Sequence, residues 1–251
     1  MTLFGYRLPM MSSLIVWCVI WEIVGRLELV LLFPPFSGVL AALVDLVQTQ
    51  KFWTATWTTI STFCIGMALA IVCGVALGVL MGRVKAAENL LGMWVNVFAS
   101  APLSALVPVL MILFGMGAKT IVVSVFLFAI WIIALDTQAG VKHITPSLID
   151  MARSFGAGRR DIYAKIILWA ALPEILAGIR LGFIRGVKGV VIGQLLVSII
   201  GYGELFEVYS RSFLMEDFWA LTIVLFAFAL LVAELVGMLE KRIEYYAGVR
   251  Q

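Results

Sequence analysis

Apolar residues in this chain run in blocks long enough to cross a lipid bilayer, and this narrows the fold before any motif is considered. A membrane-spanning helix needs about 20 mainly apolar residues. The blocks lie at Met10–Val24, Ala55–Met81, Leu90–Leu113, Ile121–Leu135, Gly182–Ile200 and Ala220–Leu239, the first and fourth being the shortest. In lipid every backbone N–H and C=O must be satisfied within the protein, so helices or closed barrels are the only spanning forms. Blocks of this length are helical, since strands are shorter. The predicted architecture is an all-α polytopic membrane protein with about six spans. Only 13% of the residues are charged, about half the share in a soluble domain. No linker or composition break divides residues 1–251, so one membrane domain is expected. The first block has Glu22 inside it and no small-residue cleavage site after it, which favours a retained helix over a secretory signal.

Basic residues set the orientation. With the N-terminus inside, the inner segments hold fourteen: Arg7, Arg83, Lys85, Lys142, Arg153, Arg159, Arg160, Lys165, Arg180, Arg185, Lys188, Lys241, Arg242 and Arg250. The outer segments hold four: Arg26, Lys51, Lys119 and Arg211. Lys and Arg accumulate on the cytoplasmic side of membrane proteins. Both termini and residues 139–165 are therefore predicted inside, with Pro34–Trp53 and Gly201–Asp217 outside. The net charge of +3 reports this orientation, and no nucleic-acid partner is expected.

Several chemistries are not provided for. Cys18, Cys64 and Cys73 lie in apolar blocks, and an odd number cannot close a disulfide framework. His143 is the sole histidine, so neither a metal site nor a serine triad is expected. The chain also lacks the G-x4-G-K-[ST] loop that cradles nucleotide phosphates. If ATP and Mg drive this protein, another subunit binds them.

Within the spans, Gly66, Ala70, Gly74, Gly78 and Gly82 recur at every fourth position, a row that lets another helix approach closely. Gly178, Gly182, Gly186, Gly189 and Gly193 enrich the fifth block in the same way. Residues 34–53 carry Val39, Leu40, Leu43, Leu46 and Val47 at amphipathic spacing, suited to lying at the interface. Pro102 and Pro108 are predicted to kink the third block. That kink is either a packing feature or, beside Asn96, Ser100 and Ser104, a wall of a translocation path. Arg185 and Lys188 are placed near the inner boundary, where such side chains snorkel to water or face the bundle interior. Gln194 and Ser198 share one helical face and either bond a neighbouring helix or line the path. Glu22, Asp136 and Glu234 are expected in structural pairs or at the interface. Glu204, Glu207, Glu216 and Asp217 face Arg211 in an outer loop, either a solvated loop or an acidic landing surface for a basic partner.

The longest charged stretch runs from Asp150 to Pro173. Thr145-Pro146 supplies an N-cap and a proline at the first helical position. Leu148, Met151, Ala152 and Phe155 follow at helical spacing. Gly156 ends this short helix, because glycine readily takes the left-handed conformation of a helix stop. A second basic helix is predicted to begin near Arg159.

This segment resembles the EAA loop of ABC importer permeases, E-A-A-x3-G-x9-I-x-L-P. Ala152, Gly156, Ile166 and Leu168 fall on pattern positions; Asp150, Met151 and Trp169 replace Glu, Ala and Pro, and a second Leu172-Pro173 follows. Phe33-Pro34-Pro35 ahead of Val39-Leu40, Pro102-Leu103-Ser104-Ala105, Leu113-Phe114-Gly115-Met116-Gly117 and Gly201-Tyr202-Gly203 are also similar to the nitrate, sulfonate, taurine and bicarbonate branch of type I importers. The resemblance implies a permease in a bacterial cytoplasmic (inner) membrane with two permease copies, most simply a homodimer. It also implies separate ABC ATPase subunits that carry ATP and Mg, and an external solute-binding protein. ATPase contact is then expected at Asp150, Met151, Ala152, Arg153, Phe155, Gly156, Arg159 and Arg160, in a coupling loop at about 139–170. The pathway is expected at Asn96, Ser100, Ser104, Lys188, Gln194 and Ser198. The implied solute is a small anion such as a sulfonate, nitrate or taurine; the same machinery also carries neutral or aromatic nutrients, including thiamine-precursor pyrimidines and aromatic acids. A secondary transporter is the rival from another class, and it would bury more paired ionisable groups at mid-membrane.

Overall fold

In the computed structural model the backbone is described for residues 2–3, 6–7, 10–28, 32–197 and 199–246, and the side chains for 12–28, 32–197 and 199–243. A two-residue hairpin pairs Thr2–Leu3 with Tyr6–Arg7. The helices follow as α1 (Met10–Arg26), α2 (Phe36–Gln48), α3 (Gln50–Arg83), α4 (Lys85–Ser100), a 3-10 turn (Leu103–Leu106), α5 (Val107–Phe114) and α6 (Ala118–His143). Next come α7 (Pro146–Ser154), α8 (Arg159–Asp161), a π turn (Ile162–Ile167), α9 (Leu168–Ala170), α10 (Leu172–Val197), α11 (Tyr202–Arg211) and α12 (Met215–Tyr246).

Small residues decide how these helices meet. A side-chain carbon added at Gly66 would lie 2.6 Å from Val125, at Gly74 2.9 Å from Ile133, at Gly78 2.5 Å from Thr137, and at Gly82 2.7 Å from Val141. The glycine row of α3 is thus filled by a matching row on α6, one residue per turn. The same stretch of α6 also meets the glycines of α10. Gly182 is filled by Ile133, Gly189 packs on Val125 and Phe128, and Gly193 on Ser124. The three helices close on one another, since Gly186 of α10 packs on Met67 and Phe63 of α3, and Ile121, Val125, Ala129 and Ile133 are fully buried between them.

Among the described residues three helices, α3, α6 and α12, are long and apolar enough to cross a membrane by themselves, and two bent pairs raise the number to five. The span expected at Met10–Val24 coincides with α1, whose 17 residues measure about 25 Å at 1.5 Å per residue, short of the ~30 Å hydrocarbon core. Its far end is tied down. Trp21 Nε1 donates to Pro34 O at 3.0 Å, and the Glu22 carboxylate accepts from Ser37 N at 2.8 Å and Ser37 Oγ at 2.9 Å. A carboxylate at the start of α2 also complements the helix dipole. With Arg26 at 2.6 Å, Glu22 is a structural pair. α2 buries Val39, Ala42 and Leu46 and turns Leu40 and Val47 outward, the amphipathic arrangement its sequence predicts.

Two expectations are corrected. The third block is broken rather than kinked twice: α4 and the segment Leu103–Phe114 meet at 95°. The break falls at Ala101-Pro102, whereas Pro108 stands in the first turn of α5. There its missing N–H would have had no helical partner, so it starts a helix and bends none. The fifth span begins ten residues earlier than its apolar block, at Leu172 instead of Gly182. Arg185 and Lys188 therefore sit mid-helix, not at an inner boundary, and the basic excess is carried by the other twelve inner residues.

The two ends of the bundle differ as the charge bias predicts. One end gathers Glu88 with Lys85 (3.1 Å) and Lys142, Arg180 with Glu240 (3.0 Å), and the basic segment α7–α9. The other end carries α2, α11 and an aromatic knot of Trp21, Phe33 and Trp219, with centroids 5.2–5.3 Å apart.

Candidate functional site

Two features of this scaffold are candidates for function, the short helix α7 at the basic end and the broken span against α10. α7 has one apolar face turned inward, with Ile149 and Ala152 each 6% exposed in a cluster with Val141, Ile162, Ile167, Ala171 and Ile175. Its outer face presents Asp150, Met151 at 51% exposure and Phe155 at 86%. Arg153 reaches back to Asp150 at 3.3 Å, an exposed pair that leaves both groups available to a partner. Pro146 stands at the first helical turn as expected, but Thr145 makes no side-chain cap bond.

The stop at Gly156 is complete. Gly156 has φ +80°, its N–H donates to Arg153 O at 2.9 Å, and the Ala157 N–H donates to Ala152 O at 3.0 Å. These bonds form the Schellman arrangement that satisfies the last carbonyls of a helix. Ala157 also packs into the cluster that holds Ala152, so the hinge is seated on the bundle. Arg159 and Arg160 follow, exposed, on α8. Lys165, 2.7 Å from Asp161, holds the Asp161 carboxyl below its ordinary range by hydrogen bonding. Of the residues expected to meet an ATPase, Asp150, Met151, Arg153, Phe155, Gly156, Arg159 and Arg160 share the exposed side of this segment. Ala152 points inward and seats the helix.

The pathway residues divide. Asn96, Ser100 and Ser104 are exposed around the break between α4 and α5, where Asn96 Nδ2 donates to Gly92 O at 2.7 Å. Lys188 is exposed beside an apolar groove of about 430 Å³ lined by Val191, Leu195, Phe206, Phe218 and Phe226. Ser198 lies outside the described residues. Gln194 is closed off, at 2% exposure, and its Nε2 donates to Thr59 Oγ1 at 2.9 Å while Thr59 Oγ1 donates to Ala55 O at 2.8 Å. Its side chain fills the space over Gly201, whose φ is +65°. A second bond, between Tyr202 and Thr56 hydroxyls at 2.9 Å, fastens α11 to α3. Glycine at 201 is thus demanded twice, by its backbone and by Gln194. Gly201→Ala is expected to destabilise the protein by about 1–2 kcal/mol from the left-handed backbone alone, with added strain from Gln194. Thermal unfolding in detergent measures it against Gly237→Ala on α12, where an added carbon meets nothing within 4 Å.

The sequence flagged Arg185 only as a snorkelling or interior charge. In the fold its Nη1 donates to Ala99 O at 3.0 Å, one residue from the end of α4. Apolar periodicity carries no signal for this contact, because it depends on the break at Ala101-Pro102. Asp136 lies on α6 against Gly178. Glu234 is exposed on α12.

A model of the family described as "Binding-protein-dependent transport system inner membrane component" matches residues 70–245. The taurine transport system permease protein TauC of Escherichia coli (strain K12) is 29% identical over 245 residues, covering 94% of this chain and 89% of its own length. The carnitine transport permease protein OpuCD of Listeria monocytogenes is 26% identical over 175 residues, covering 69% and 77%. In three dimensions the chain is similar to the inward facing MetNI methionine ABC transporter, with a TM-score of 0.65 at 21% identity over 78% of this chain and 96% of that one. An amino acid ABC transporter solved with histidines gives a TM-score of 0.55 at 18% identity over 78% and 100%.

Proposed function

Because the chain belongs to the family of binding-protein-dependent transport system inner membrane components, and so is a multi-pass ABC importer permease and not an enzyme, we propose that it forms the pathway for a small solute bearing an anionic group and is driven through α7. The observation that carries the coupling half of this reading is the pairing of a Schellman-capped helix with exposed Met151 and Phe155. Two large apolar side chains held out at the basic end of a membrane bundle are unfavourable in water. A groove on a cytoplasmic ATPase, the subunit that carries ATP and Mg, relieves that exposure. Two permease copies in a bacterial inner membrane, a pair of ATPases and an external solute-binding protein complete the machine.

The anionic solute is supported by the likeness to a taurine permease and by the two cations, Arg185 and Lys188, in the middle of α10. Charges at that depth cost about 2.5–3.5 kcal/mol on insertion scales and mark solute paths or buried pairs. The apolar lining of the groove beside Lys188 favours a second reading, a solute with an aromatic or aliphatic body.

Co-purification tests the coupling half. The permease is expected to hydrolyse no ATP alone and to hold its cognate ATPase through detergent extraction. Phe155→Asp is expected to weaken that complex at least tenfold without lowering permease abundance. An undiminished complex would remove α7 as the docking element.

A further inference from the structure

We infer that Arg185 is the anion ligand of the pathway, held at the broken span so that its unused donors meet the anionic group of the solute. The inference rests on the permease reading above and names the residue that recognises the solute. Arg185 is the fourteenth of the 26 residues of α10, so its Cα is at the helix midpoint. It is partly buried, and among the described residues its one hydrogen bond goes from Nη1 to Ala99 O at 3.0 Å. It enters no ion pair among them; Asp136 attracts it through space only.

A guanidinium has five N–H donors in a planar fork suited to two oxygens of one anion. One donor is spent on the carbonyl at the end of α4, an end of negative partial charge that orients the group without neutralising it. The others remain for a ligand. The neighbourhood is suitable: Ser100 follows Ala99 directly, and Ser104 lies in the 3-10 turn that packs on α10, both exposed. Hydroxyl groups donate to an anion, and the 95° break opens the backbone there. Lys188, three residues on, lines the groove towards α12 instead. Arginine and broken span together make a built cationic corner midway along α10, where, among the described residues, no hydrogen bond or ion pair occupies the remaining donors.

Three variants of the full permease–ATPase–binding-protein complex in proteoliposomes test this, with radiolabelled taurine (2-aminoethanesulfonate, a zwitterion with a sulfonate group) and nitrate as probes that bear an anionic group and choline as a probe without one. Arg185→Gln keeps a polar amide and loses the charge and the fork. It is expected to assemble normally, to keep ATP hydrolysis, and to lose at least 90% of anion uptake. Arg185→Lys keeps the charge without the fork, and a KM raised at least fivefold is expected at an unchanged ATPase rate. Lys241→Gln, exposed near the end of α12, is expected to change KM less than twofold. Wild-type anion uptake with Arg185→Gln undiminished would overturn the assignment and leave the permease reading intact. Should Arg185→Gln fail to assemble, Arg185→Lys decides, and an unchanged KM overturns the assignment. Wild-type uptake of choline with neither anion overturns both the anionic reading and the role of Arg185.

Discussion

Gly78→Val is expected to leave almost no folded permease in the membrane. The added carbon would lie 2.5 Å from Thr137 Cβ and 2.6 Å from Ala134 O, and the two methyl groups of valine go further. One of those neighbours is backbone, which cannot rotate away, so α3 and α6 must separate. Overpacking of this kind costs about 1–3 kcal/mol where side chains can adjust, and more where a helix pair must part along its whole seam. In a protein stable by about 5–15 kcal/mol overall, a change at a crossing this crowded is expected to reduce folded protein by at least tenfold. Gly237→Val is the matched control, since a carbon there meets nothing within 4 Å. Fluorescence-detected gel filtration of tagged variants gives the comparison. Wild-type amounts of monodisperse Gly78→Val would mean that the α3–α6 seam is looser than its geometry.

The second large effect is expected on transport with the fold intact. At Gly156 an added carbon also meets nothing, so steric room is not the constraint. The constraint is φ +80°, a left-handed value that costs an L-residue about 1–2 kcal/mol and a β-branched residue more. Valine there is expected to turn the backbone back toward negative φ and to break the two bonds that close α7, from Gly156 to Arg153 and from Ala157 to Ala152. The spans are untouched, so abundance should stay within twofold while transport falls at least tenfold. Gly158→Ala, at a φ of −74°, is expected to transport normally. If Gly156→Val also transports normally, ATP-driven motion does not pass through this hinge.

Much of this was legible because the relevant patterns are local and periodic. The small-residue row of α3 announces a close helix neighbour, and it has one in α6. Gly156 announces a helix stop, and Pro146 a helix start. What stayed hidden depends on where backbone breaks fall. Pro102 and Pro108 look alike in sequence, since both remove a donor, and only the fold tells that one ends a helix and the other begins one. The start of α10 was masked by Glu174 and Arg180, which lower the apolar signal of its first turns. That error displaced Arg185 from mid-helix to a boundary and concealed its bond to Ala99. Gln194 was legible as a polar residue in an apolar run, but its partner Thr59 lies 135 positions away, beyond any periodic signal.

The π turn at Ile162–Ile167 has a consequence for helical phase. Its two buried residues, Ile162 and Ile167 at 6% and 0% exposure, stand five apart, where an α-helix would bury Ile166. A turn of this kind holds one residue more than an α turn, so everything after Ile167 is rotated by about 100° relative to a continuous α-helix. Leu168 and Trp169, at 40% and 63% exposure, take their outward positions from that offset. Removing one residue between Ile162 and Ile167 would restore the ordinary phase and turn a different side of the segment toward Pro173. The orientation of α7 relative to α10 is therefore set by a count of residues, and a change that spares every contact but not that count would turn one against the other.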